Sequence, residues 1–159
     1  MKPKHATPPV HAIRPMRVMD IPSVADIARQ SFKDAWDEKQ FRQELKAGQT
    51  TGVVVTAMNR VVGFILYDVN PDGVLIGNVA VHPHERRRQC GSRLVQYAVQ
   101  VARENQIECV TSILSDTNMP AHLFLRYNGF TATAVFRDLF GDGHDGYAFE
   151  VDLSHPDRS

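Results

Sequence analysis

Cysteine is scarce in this chain, which has two, Cys90 and Cys109, in 159 residues. Two thiols without a longer cysteine pattern exclude a disulfide scaffold and a four-cysteine zinc site, and they fit a reducing cytoplasm. Net charge is absent as well: 18 Lys and Arg balance 18 Asp and Glu. No cationic field surrounds the molecule, so no nucleic acid partner is expected. No run approaches the roughly 18 apolar residues of a membrane span. The start, MKPKHATPPVH, lacks the apolar centre of a signal peptide. Neither a Gly-Lys-Ser/Thr phosphate loop nor a G-x-G-x-x-G fingerprint near the start is present, which removes Walker-type and dinucleotide-binding folds.

What is there reads as one domain. A chain of 159 residues with 43% hydrophobic content can build one full core and has little room for a second. Residues 1–11 read as a disordered tail, 12–153 as the domain and 154–159 as a C-terminal tail. Residues 11–18 alternate loosely as a strand. Asp20 or Ser23 then caps a helix with Val24, Ile27, Ala28 and Phe32 at helical spacing. Asp37 and Gln40 form a capping box for a second helix, with Phe41 and Leu45 on one face and Gly48 at its stop. Residues 51–69 are rich in β-branched side chains on either side of Asn59-Arg60, which predicts a hairpin. A third strand follows Pro71-Asp72-Gly73.

From Gly91 the positions Leu94, Val95, Ala98, Val99 and Ala102 keep a helical face, and residues 107–114 supply a strand. A strand, helix and strand in that order make a crossover, so those two strands should be parallel. Asn118 caps a short last helix, with Pro120 in its first turn and Gly129 at its end. Two more strands flank the turn-rich residues 141–146. The fold class is therefore mixed α/β: a mostly antiparallel sheet of about seven strands, one parallel pair and about four helices.

The chemistry concentrates in residues 81–95, VHPHERRRQCGSRLV. A basic loop between a strand and a helix places backbone N–H groups, the positive helix end and the guanidinium groups of Arg86, Arg87 and Arg88 at one point, where phosphates bind. His82 and His84 flank Pro83 without a third ligand and read as loop surface. Residues 141–146 lack the spacing and the bidentate glutamate of a calcium loop and read as a hairpin turn. His122 reads as a histidine on a helix surface, with a proton shuttle as the sharper alternative.

The order of elements, with V-x-P-x-x-R-R-R-x-x-G at residues 81–91 and N-x-x-A…G-F at Asn118, Ala121, Gly129 and Phe130, resembles the GNAT superfamily of acyl-CoA-dependent N-acyltransferases. The resemblance spans about residues 12–153 and is strongest to the RimI type, which acetylates the N-terminal alanine of a ribosomal protein. It implies acetyl-CoA as acyl donor, no metal, and a splayed parallel strand pair around the pantetheine arm. It places that arm along Val79, Ala80 and Val81. The pyrophosphate falls on the loop of Arg86, Arg87, Arg88, Gln89, Cys90, Gly91 and Ser92, and Asn118 becomes a further donor contact. The implied partner is an amine acceptor, favoured as a protein or peptide N-terminus; oligomeric state stays open.

The chain departs from that pattern at three positions. Gln89 stands where the loop's first glycine is usual, so it either keeps a negative φ or accepts a left-handed cost of about 1–2 kcal/mol. The tyrosine used as acid falls on Leu125; Tyr127 lies roughly 200° further around the helix and is a poor substitute. The glutamate used as base falls on Ile113. No catalytic residue is assigned. The alternative to a transferase is an acyl-CoA-binding sensor or pseudoenzyme, with a partner-binding module without cofactor a third class.

Overall fold

The computed structural model describes residues 10–86 and 89–155. Arg87 and Arg88, and most of both tails, lie outside the described residues. Seven strands form one sheet in the order β1-β2-β3-β4-β5-β7-β6: β1 His11–Pro15, β2 Thr50–Ala57, β3 Arg60–Asn70, β4 Gly73–Val81, β5 Cys109–Ser115, β6 Thr131–Gly141 and β7 His144–Asp152. Four helices connect them: α1 Ile21–Ser31, α2 Glu38–Ala47, α3 Cys90–Glu104 and α4 Met119–Tyr127. The architecture is the mixed α/β one expected.

Each face of the sheet carries its own core. Val24, Ala25, Ile27 and Ala28 of α1 and Phe41 of α2 pack on Val54, Phe64, Leu66 and Ala80. On the other face Leu94, Val95, Ala98, Val99 and Ala102 of α3 meet Val53, Ile65, Val74, Val110 and Phe149. The 3.6-residue period of the helices and the two-residue period of the strands explain why successive residues of β2 and β3 divide between the cores.

Three local expectations move. Strand β1 ends at Pro15, not at residue 18, and the chain bends into a 3-10 turn, Val18–Asp20. The cause is Asp20. Its carboxylate accepts from the Arg17 N–H at 2.7 Å and from the Arg14 guanidinium at 2.7 and 2.8 Å. Asp20 thus occupies the N-cap position of α1 without capping it by its side chain, and Ser23 lies within the helix. The first hairpin turns one residue earlier than expected, at Met58-Asn59, because Ala57 pairs with Arg60. Both turn residues have positive φ, 51° and 63°, the geometry that matches strand twist in a two-residue hairpin. His11, read both as the end of the tail and as the start of the first strand, pairs with Ala57 in β1.

The capping box of α2 forms as expected, with Asp37 Oδ1 accepting from Gln40 N–H and Gln40 Oε1 from Asp37 N–H. Strands β6 and β7 meet at a two-residue turn, Asp142-Gly143, with φ of 54° and 78°.

Strands β4 and β5 are the parallel pair, in register over Val74↔Val110, Leu75↔Thr111 and Ile76↔Ser112. There the pairing stops, although β4 continues to Val81 and β5 to Ser115. The same point carries a bulge on the other side of β4: Leu66 pairs with Asn78 and Tyr67 with Ile76, leaving Gly77 as the extra residue. A bulge bends its strand. The bend turns β4 away from β5 and opens a wedge in the middle of the sheet.

Candidate active site

The wedge opens into a groove of about 780 Å³. One wall is the end of β4, with Val79, Ala80 and Val81. His82 donates its N–H to Val62 O at 2.7 Å, on the β3 side. Strand alternation therefore turns the backbone groups of Ala80 toward β3 and those of Val79 and Val81 toward the open edge. That edge has no strand beside it past Ile76. It offers amide donors and acceptors at strand spacing to an extended ligand.

The second wall is the start of α3, where Gln89, Gly91 and Ser92 line the groove. Gln89, at the N-cap, has φ 61° and ψ 15°, and its side chain caps nothing. No acidic residue occupies the first turn. The initial N–H groups of α3 therefore keep the positive end of the helix dipole unneutralised by the helix itself. Helix α4 forms the third wall with Asn118, Pro120, Ala121, Phe124 and Tyr127, and Ser31 and Phe32 close it from the end of α1. Gly91 sets how closely α3 approaches α4: a Cβ there would lie 3.2 Å from Phe124 Cζ.

The described residues expected around a donor divide clearly. Val79, Ala80, Val81, Arg86, Gln89, Gly91, Ser92 and Asn118 all line the groove. Cys90 does not; it is fully buried in the core under α3. Arg87 and Arg88 lie outside the described residues. Arg86 has other work than a phosphate: its Nε donates to Val81 O at 3.1 Å and its Nη2 to Ser31 Oγ at 3.3 Å. It braces the end of β4 against α1. Asn118 caps α4, Oδ1 accepting from Ala121 N–H at 3.3 Å, while facing the groove.

One further expectation is corrected. His122 is neither a surface histidine nor a groove residue; it is 8% exposed, its Nε2 lies 2.9 Å from Ser115 O, and its ring meets Phe149 edge-on. Only a protonated Nε2 can bond that carbonyl, so His122 pins α4 to β5. Tyr127, which helical phase set apart from the usual tyrosine position, lines the groove, whereas Leu125 points into the core at 3% exposure. Ser31, Phe32 and Phe124 escaped the sequence reading because nothing local marks a residue that lines a cleft between distant segments. Among the described lining residues only Arg86 and Tyr127 are ionisable.

A splayed parallel pair beside a helix start that its N-cap side chain leaves uncapped defines a class, and comparison with known proteins gives the same one. The family model "Acetyltransferase (GNAT) family" matches residues 21–130. The chain belongs to that family and is an acyltransferase. A candidate ribosomal protein bS18-alanine N-acetyltransferase of Bacillus subtilis (strain 168) is 24% identical over 145 residues, covering 90% of this chain and 96% of the relative. Among solved structures, the Ard1 protein of Thermoplasma volcanium superposes with a TM-score of 0.80 at 24% identity, covering 91% of this chain and 99% of that one. The ribosomal-protein-S18-alanine N-acetyltransferase of Escherichia coli superposes with a TM-score of 0.79 at 18% identity, covering 92% and 96%.

Proposed function

We propose that the chain transfers an acetyl group from acetyl-CoA to the α-amine of a protein or peptide N-terminus. The observation that carries this is the meeting of the open β4 edge with the start of α3 in one groove. A pantetheine arm carries two amides and extends along such an edge, and its pyrophosphate then falls on the N–H groups of Gly91 and Ser92. Arg87 and Arg88 add charge to the same loop.

The described lining of the groove favours a weakly basic acceptor. Neither a carboxylate nor a histidine is among its described lining residues. Neutralising a lysine-like amine at pH 7 costs roughly 4–5 kcal/mol, against about 1 kcal/mol for an α-amine. Water can carry the smaller proton load. The neutral amine attacks the thioester carbonyl directly, and the oxyanion forms beside the Val81 N–H. The thiolate leaves unaided, since a protonating acid would add only about 2 kcal/mol to a thiol of pKa near 8.5. The alanine N-acetyltransferases among the similar proteins support an N-terminal acceptor. The reading places the protein in the cytoplasm; no described helix is long and apolar enough to cross a membrane.

The test is a thermal shift titration with acetyl-CoA on the parent and on an Arg87→Ala, Arg88→Ala double variant, followed by a product screen. A shift in the parent, reduced in the variant, and acetylation of free peptide N-termini ahead of N-blocked lysine peptides are expected. A preference for lysine or polyamines sinks the acceptor assignment. Tight donor binding with no product from any amine would make the protein an acyl-CoA sensor.

A further inference from the structure

Three metal-ligating side chains from three separate elements converge at the start of α3, outside the groove. His11 of β1, Glu85 of the 3-10 turn Pro83–Glu85 and Cys90 of α3 bring an imidazole nitrogen, a carboxylate oxygen and a thiol sulfur within 4.8 Å of one another. They are no accident of a crowded surface: the side chains of His11 and Glu85 are 12% and 19% exposed, and Cys90 is wholly buried. Nothing in acyl transfer uses these three atoms.

The His11–Glu85 spacing is that of a coordination polyhedron, and the thiol lies close to it. A tetrahedral zinc ion with bonds of about 2.0–2.1 Å to nitrogen and oxygen holds those atoms about 3.3 Å apart, and a sulfur at about 2.3 Å stands about 3.5 Å from each. His11 Nε2 lies 3.4 Å from Glu85 Oε2, already at that distance. With all three atoms within 4.8 Å, the sulfur has at most about 1.3 Å to close.

We propose that His11, Glu85 and Cys90 bind one zinc-class divalent ion, with water as the fourth ligand. A thiolate and an imidazole select Zn²⁺ or Co²⁺ over Mg²⁺ and Ca²⁺. On binding, the Cys90 S–H bond breaks, its proton passes to solvent and an S–metal bond forms, with no change of oxidation state. His11 donates its Nε2 lone pair, so the ring hydrogen resides on Nδ1. The backbone at the site is tied beforehand: Arg93 Nη1 of α3 donates to His11 O at 3.2 Å.

Cys90 is followed directly by Gly91 and Ser92, whose N–H groups are assigned to the donor's pyrophosphate, and Glu85 lies at the end of the 3-10 turn before α3. An ion held by Glu85 and Cys90 ties the start of α3 to the 3-10 turn and fixes where Gly91 and Ser92 stand, so metal and acetyl-CoA binding are coupled. The site stands on its own geometry; only this coupling rests on the acyl-transfer reading.

The test is a titration of chelator-treated full-length protein with Co²⁺, followed by the near-ultraviolet thiolate-to-cobalt charge-transfer absorption, with equilibrium dialysis of Zn²⁺ alongside. One ion per chain and a charge-transfer band are expected. The band should vanish in Cys90→Ala, affinity should fall at least tenfold in His11→Gln, and Cys109→Ser and millimolar Mg²⁺ should change neither. No band at saturating Co²⁺, a band that survives Cys90→Ala, or undiminished binding in His11→Gln overturns the site. His11 lies on the edge strand, so His11→Gln decides the matter even where loss of the buried Cys90 impairs folding. An acetyl-CoA Kd that Zn²⁺ changes in the parent and not in His11→Gln supports the coupling; an unchanged Kd with a proven metal site overturns the coupling alone.

Discussion

Gln89 sits at the start of α3 in the left-handed region, φ 61°, where a side chain crowds the following carbonyl. That geometry costs about 1–2 kcal/mol, against about 0.5–1 kcal/mol of extra entropy that a glycine would lose. Gln89→Gly is therefore expected to raise the melting temperature by about 1–3 °C and, on the acyl-transfer reading, to tighten acetyl-CoA binding. Calorimetric titration beside thermal unfolding checks both. Asp20 poses the opposite case, a residue whose importance its local sequence understates. The Arg14 guanidinium, and then the Arg17 N–H, hold its carboxyl below the usual carboxylate range despite burial. A lowered folded value means that its stabilisation is complete above the unfolded pKa of about 3.9 and is lost as pH falls through the folded one. Asp20→Asn keeps an acceptor for the Arg17 N–H and loses the ion pair, so it should cost about 1–3 kcal/mol at pH 7 and less below pH ~3. Denaturant melts at both pH values measure the difference.

Helices and strands were legible wherever a period and a cap agreed. Asp37 with Gln40 marked the start of α2, and Asn118 marked that of α4, because both signals are local backbone chemistry. Asn118→Ala is expected to cost about 1 kcal/mol, and Asn118→Ser, which keeps a capping oxygen, to recover most of it. If Asn118 also touches the donor, acetyl-CoA affinity stays reduced in the serine variant; stability and binding curves on the pair separate the two roles. Boundaries were less legible where a distant partner set them. The hairpin turn moved to Met58-Asn59 because cross-strand register chose it, and β1 stopped at Pro15 because Asp20 bends the chain that follows. Helical phase alone put Tyr127 in doubt, yet α4 packs so that Leu125 faces the core and Tyr127 the groove.

Across the whole molecule two cores clamp a sheet that is parted in its middle, and the groove is that parting. A ligand seated there binds only the native chain. At a hundredfold excess over Kd it adds about 2.7 kcal/mol, a rise of about 5–10 °C in melting temperature for a chain of this size. A flat response to millimolar acetyl-CoA would contradict the donor assignment. With a net charge of zero the molecule supplies no long-range attraction for a polyanion. Donor affinity should thus depend on salt through the loop's arginines alone, and flatten in the Arg87→Ala, Arg88→Ala variant.

The sequence by itself determined the order of elements, the crossover that makes β4 and β5 parallel, and the loop where charge and helix start coincide, because each depends on neighbours along the chain. Tertiary structure decided the rest. The extra residue Gly77 parts the strands, Cys90 turns into the core toward His11 and Glu85, and His122 turns under β5 instead of toward solvent. Those outcomes depend on which distant surfaces pack against one another, and no local period or cap encodes that.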